Sequence, residues 1–161
     1  MTDNYLLLFF PLAITLHNIE EALWLPQWSK HAGRFHPTIE KQEFYFALII
    51  ITVFAYLATF LAVLFPDNAY ITRPFYGFLG VMIINAIFPH LAATIALKRY
   101  APGTITGLFL IIPINCVLIY RAVIMDIVSV WEIAITTIAL GVILILVIPL
   151  LFRAGRRLTN Y

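Results

Sequence analysis

The feature that most constrains this chain is a succession of five apolar segments, each near the length of about 20 residues that carries a helix across about 30 Å of bilayer hydrocarbon. They fall at about 5–25, 44–65, 75–97, 105–125 and 133–152. Chain breakers lie between them: Pro26 and Gly33, then Pro66-Asp67-Asn68, then Pro102-Gly103. Backbone polar groups in lipid must be satisfied within the segment, so each run is expected to be a helix and not an open strand. The expected fold class is therefore all-α, a polytopic transmembrane helical bundle of five spans forming one domain over residues 1–161. Composition agrees. Hydrophobic residues make up 63% and charged residues 11%, whereas a soluble domain is nearer half and a quarter. A core built from 161 residues cannot bury that excess.

Charge placement gives a direction. The net charge of +2 offers no argument for a nucleic-acid partner, and membrane lipid is the expected one. Lys30, Arg34 and Lys41 lie in the first connection, Lys98 and Arg99 in the third, and Arg153, Arg156 and Arg157 in the tail. The opposite side has only Arg73 outside the spans. By the positive-inside rule the N-terminus faces outward and the C-terminus is cytoplasmic, in a multi-pass protein of the cell membrane. Trp24, Trp28 and Tyr100 then mark the inner interface, and Tyr70, Tyr76 and Trp131 the outer one. The start Met-Thr-Asp-Asn-Tyr lacks the basic region of a cleavable signal, so the first segment reads as a permanent span. Cys116 is the single cysteine, which excludes an intramolecular disulfide and a Cys-based metal site.

Polar residues inside the spans point to function, because an ionisable group in hydrocarbon is costly. The first span contains His17-Asn18-Ile19-Glu20-Glu21. At 100° per residue, Glu20 lies about 60° to one side of His17 and Glu21 about 40° to the other, so the three share one face. The third span contains Asn85-Ala86-Ile87-Phe88-Pro89-His90. Pro89 lacks an N–H, which frees the Asn85 carbonyl and predicts a kink beside His90. His17 and His90 each fall about two-thirds along spans of the same direction, so equal depth is expected. The fourth span carries Pro113, Asn115, Tyr120 and Arg121. Arg121 either snorkels to the outer interface or pairs with an anionic group. His31 and His36 in the first connection belong either to a basic, aromatic interface segment or to a lid over the first-span site.

His and carboxylate donors suit zinc or non-haem iron. Residues at i and i+4 of a helix can chelate one ion while a residue between them serves as base. Here His17, Glu21 and His90 are the candidate ligands. Glu20 is the candidate general base, or a further ligand in a two-metal or iron site. Asn85 and Arg121 complete the candidate catalytic set. The expected activity is that of a metal-dependent hydrolase or oxidoreductase working on a small lipophilic or amphipathic substrate. Two alternatives stay open: a metal-free acid–base enzyme of the lipid isomerase or hydratase type, using Glu20 and Glu21 with split pKa values, and a lipid-binding, ligand-binding or transport protein.

The motif His17-Asn18-Ile19-Glu20-Glu21 resembles the defining element of the HXXEE-domain family, small multi-span membrane proteins without an assigned reaction. The resemblance implies a later Asn and His in one span, a Tyr-x-Pro-Gly connection and a downstream Arg. These fall on Asn85 and His90, Tyr100-Ala101-Pro102-Gly103, and Arg121. It covers about Leu12 to Arg121 and implies a helical bundle with an intramembrane site.

Overall fold

A computed structural model describes residues 4–32 and 38–159. Five helices among them are long and apolar enough to cross a membrane: α1 (Tyr5–Ser29), α2 (Lys41–Leu64), α3 (Ala69–Leu97), α4 (Thr104–Ile124) and α5 (Val130–Leu158). No strand occurs among the described residues. The connections after α2, α3 and α4 are short, so neighbouring helices run antiparallel. Gly33, Arg34 and His36 lie outside the described residues.

All five expected spans are present, but several ends differ. α1 continues through Pro26 to Ser29, although Pro26 reads as a breaker. The proline ring deprives the Ala22 carbonyl of its helical donor, and the Tyr45 hydroxyl of α2 donates to that carbonyl at 2.9 Å instead. A break in the ladder is thus repaired from a neighbouring helix. α3 begins at Ala69, six residues before the apolar run, because the Asn68 side chain accepts from the Tyr70 N–H at 3.0 Å and caps the helix. α5 opens with a capping box: Ser129 N–H donates to Glu132 Oε2 at 2.8 Å, and Glu132 N–H donates to Ser129 Oγ at 3.2 Å.

Its far end takes in the arginines read from sequence as a tail. Arg156 bonds Glu43 Oε2 at 2.8 and 3.1 Å and ties α5 to α2. At the opposite end Arg73 pairs with Glu132 at 2.6 Å, joining α3 to α5.

Small residues set the closest approach. A Cβ on Gly77 of α3 would meet Thr136 Cβ of α5 at 2.6 Å, so only glycine lets these backbones touch. At Gly141 of α5, by contrast, a Cβ would meet only Val81 Cγ2 at an ordinary 3.9 Å. Phe10, Phe75 and Phe78 stack edge to face around the central core. Lipid would cover the outward Leu, Ile, Val and Phe side chains, many of them half exposed or more.

Two irregular stretches shape the functional end. In α3, residues Ala86–Leu91 take a wider π-type turn, with Phe88 out of helical geometry at φ −130°, ψ 117°. This is the kink expected at Pro89, and His90 lies inside it. In α4, Gly107–Ile111 forms a second such turn. A Cβ on Gly107 would lie 3.0 Å from Ala86 Cβ, so the two irregular turns face each other.

Candidate metal centre

The motif turn of α1 faces the kink of α3 and the first turn of α4. His17, Glu20, Glu21 and His90 are all buried. The His17 and His90 rings meet edge to face with centroids 5.1 Å apart, which is what equal depth requires. Glu21 Oε1 lies 3.0 Å from His90 Nε2 and 3.9 Å from His17 Nε2. One donor atom from each of these three residues falls within 4.8 Å of the other two. Two donors of a tetrahedral zinc site lie about 3.3–3.4 Å apart, given bonds of about 2.0–2.1 Å. The separations of 3.0 and 3.9 Å lie on either side of that value, so the three residues stand close enough together to be candidates for one ion.

Glu20 behaves differently from its neighbour. Its Oε1 accepts from the Tyr100 hydroxyl and from the Gly103 N–H at 2.6 Å. Its Oε2 accepts from the Thr106 N–H at 2.9 Å and the Thr106 hydroxyl at 2.5 Å. Gly103 is the residue before α4, and Thr106 is its third residue. Glu20 thus caps α4 from another helix, using backbone donors that a helix N-terminus leaves unpaired and the positive end of the helix dipole. This offsets the cost of one intramembrane carboxylate. Burial, and after it the bond to Glu20, hold the Tyr100 phenol above its ordinary value, so it remains a neutral donor.

The cap also fixes a proton. The Thr106 hydroxyl has one hydrogen, and Glu20 takes it. The 2.9 Å contact between Thr106 Oγ1 and His17 Nδ1 must then be His17 Nδ1–H donating to the hydroxyl oxygen. In the neutral ring Nε2 is then left with the lone pair. That atom is buried and has no hydrogen-bond partner. On the other ring, Nδ1 of His90 faces the Pro102–Gly103 turn. Nε2 faces Glu21, and the Asn85 amide lies 3.3 Å from it. A 3.0 Å approach of His90 Nε2 to a carboxylate oxygen needs a proton or a cation between the two atoms.

Gly103 makes the arrangement possible. Its φ is +91°, a left-handed conformation that glycine adopts without cost. A Cβ there would lie 2.6 Å from His90 Nδ1 and 3.0 Å from His17 Cε1. The turn packs its bare Cα against both imidazoles.

The structure thus brings together His17, Glu21, His90 and, beside His90, Asn85. Glu20 adjoins them through Thr106, with four donors around its carboxylate. A free base aimed at the His17–Glu21–His90 centre, as the motif suggested, is not what this geometry presents. Arg121 does not join the cluster. It sits in the last turn of α4, fifteen residues beyond Thr106, or about 22 Å along the helix. Its charge acts on Tyr76 near the other end of the bundle. His31 is exposed beyond the end of α1, its Nδ1 3.1 Å from the Gln27 carbonyl, and takes no part in the cluster. His36, its proposed companion in a lid, lies outside the described residues.

Sequence reasoning read Tyr100 as an inner-interface aromatic and Gly103 as part of a chain break, and connected neither of them, nor Thr106, to Glu20. Their signal was present in the Tyr-x-Pro-Gly connection, followed three residues later by threonine at a helix start.

Fold and site together define a bundle of five apolar helices that buries a His–Glu cluster built on one helical turn. The chain belongs to the HXXEE family: residues 8–118 match the family described as protein of unknown function with HXXEE motif. It is 47% identical over 155 residues to the uncharacterized protein YrkK of Bacillus subtilis (strain 168), covering 96% of this chain and 98% of that one. No solved structure matches it. The three positions that name the family have distinct surroundings here. His17 offers a free lone pair, Glu20 caps α4, and Glu21 meets His90.

Proposed function

We propose that His17, Glu21 and His90 hold a divalent cation, zinc or iron, at the centre of a membrane-embedded enzyme acting on a small lipophilic or amphipathic substrate. The observation that carries this reading is the buried, unpartnered His17 Nε2, whose lone pair is dictated by the Glu20–Thr106–His17 hydrogen bonds. A buried polar atom without a partner is costly, and a ligating histidine typically has its other nitrogen held this way. Two imidazoles and one carboxylate form a donor set used by catalytic zinc and by non-haem iron. When bound, such an ion supplies Lewis-acid polarisation, and iron adds redox chemistry.

Within this reading the chain's own residues have separate tasks. Glu20 and Thr106 orient His17 and keep the proton on Nδ1. The Pro102–Gly103 turn orients His90. Asn85, with its amide beside His90, is the polar group placed to orient a substrate. The positive-inside rule puts this end of the bundle on the cytoplasmic side of the cell membrane, with access from that leaflet. A metal-free carboxylate pair is less favoured, because Glu20 and Glu21 face different partners and share no proton.

The test is elemental analysis of protein purified in detergent without chelators, beside His17→Ala and Glu21→Ala. About one zinc or iron per chain in the parent, lost in both variants, is expected. Helical parent protein that carries no metal and takes none up on reconstitution would refute the reading.

A further inference from the structure

Along the outer side of the Glu20 cap runs a cavity of about 850 Å³ that no step above uses. It lies between α1 and the start of α4. Its walls are apolar, formed by Leu16, Ile19, Leu23 and Trp24 on one side and Ile105 and Leu110 on the other. Leu16, Ile19, Leu23, Trp24 and Ile105 are about half exposed, so the groove opens sideways toward lipid. At one end the lining changes to Gln27, His31 and Arg99. Arg99 is exposed, and the one carboxylate in the lining, Glu20, is already engaged by four donors. The mouth therefore presents a cation without a competing free anion.

Length adds a second argument. From Leu16 to Trp28 the α1 stripe extends twelve residues, about 18 Å, and His31 follows just past the helix end. One leaflet of hydrocarbon is about 15 Å deep, and the remainder lies in the head-group layer. A molecule that fills the groove spans one leaflet with its chain and reaches Arg99 and His31 with its head. We infer that the groove is a binding site for an anionic membrane phospholipid, with an acyl chain between α1 and α4 and the phosphate at Arg99. This names the amphiphile class for the proposed enzyme. It rests on that reading only in calling the lipid a substrate, since occupancy of the groove requires neither turnover nor an ion.

Trp24 and Trp28 both line the groove, and Trp131 is the remaining tryptophan of the chain. The Trp131→Phe protein therefore reports on the groove by fluorescence. It is reconstituted in phosphatidylcholine vesicles containing phosphatidylglycerol with brominated acyl chains, or brominated phosphatidylcholine, with zinc and separately with chelator. The brominated anionic lipid should reach half-maximal quenching at a mole fraction about five-fold lower, the scale of one Arg near an anionic surface. Arg99→Gln should abolish this preference. Arg153→Gln, which removes a charge from the same end of the bundle but outside the groove, should retain it. Equal quenching by the two lipids in the parent, or equal loss in both arginine variants, would overturn the inference. Because fluorescence is read with and without zinc, this failure is distinguishable from absence of a metal.

Discussion

Replacing Glu20 by Gln separates a cap from a base more sharply than any other single change. Gln keeps the shape but has one carbonyl oxygen where the carboxylate has two. The carboxylate serves two pairs of donors, Tyr100 with Gly103 and Thr106 N–H with Thr106 hydroxyl. One pair must lose its acceptor. At about 1.5–3 kcal/mol for each bond to a charged group, the loss is about 3–6 kcal/mol.

A second effect follows at the Thr106 pair. An amide NH2 facing Thr106 turns the hydroxyl into an acceptor, and its hydrogen then points at His17 Nδ1. The imidazole proton moves to Nε2, and the lone pair offered to an ion is lost. Disrupting such an outer partner typically costs 10–100-fold in metal affinity, or about 1.4–2.7 kcal/mol. Thr106→Val should reproduce the affinity loss, and Thr106→Ser should restore it. The assay is zinc competition against a chromophoric chelator in detergent, with thermal unfolding followed in parallel. A Glu20→Gln protein with parental zinc affinity and parental stability would refute the capping argument. Parental affinity combined with lost turnover would return Glu20 to the role of base.

Other substitutions test the framework around the site. Gly103→Ala adds a methyl 2.6 Å from His90 Nδ1 at a φ of +91°. It should destabilise by about 2 kcal/mol or more from strain and overpacking and reduce metal content, both readable on one purified sample. Tyr45→Phe leaves the Ala22 carbonyl beside Pro26 without its donor. The expected loss is about 1 kcal/mol, seen as a lower melting temperature with metal content unchanged.

Much of this was legible in the sequence because hydrophobic length is a strong signal. Five spans and their order follow from apolar runs, and the shared face of His17, Glu20 and Glu21 follows from 100° per residue. Helix ends were less legible. Pro26 reads as a stop, yet the decision rests with Tyr45, nineteen residues away on another helix. The C-terminal arginines read as a tail, yet Glu43 holds Arg156 on α5. The kink at Pro89 was predictable because its cause is local. The partners of Glu20 were not, since two are backbone N–H groups and two are hydroxyls, all brought to it from the start of α4 and the turn before it, and nothing in the motif turn points to them.

The same distinction explains why adjacent glutamates are tolerable in a buried turn. A carboxylate that leaves water needs donors or positive charge. Glu20 receives four donors and the end of a helix dipole, and can remain ionised without an ion nearby. Glu21 has one close partner, His90, and a more distant one, His17. Among the described residues, only His17 Nε2 and Asn115 Oδ1 are buried side-chain polar atoms left without a hydrogen bond. Asn115 at least donates to the Leu79 carbonyl at 3.1 Å through its other terminal atom. At His17 the unsatisfied atom, the under-served carboxylate and the second imidazole converge on one point. A cation there would satisfy all three at once, whereas a single proton between Glu21 and His90 leaves His17 Nε2 unsatisfied. The loss of a bound ion should therefore destabilise the motif turn and the Pro89 kink together, while the Glu20 cap, which has its own donors, persists.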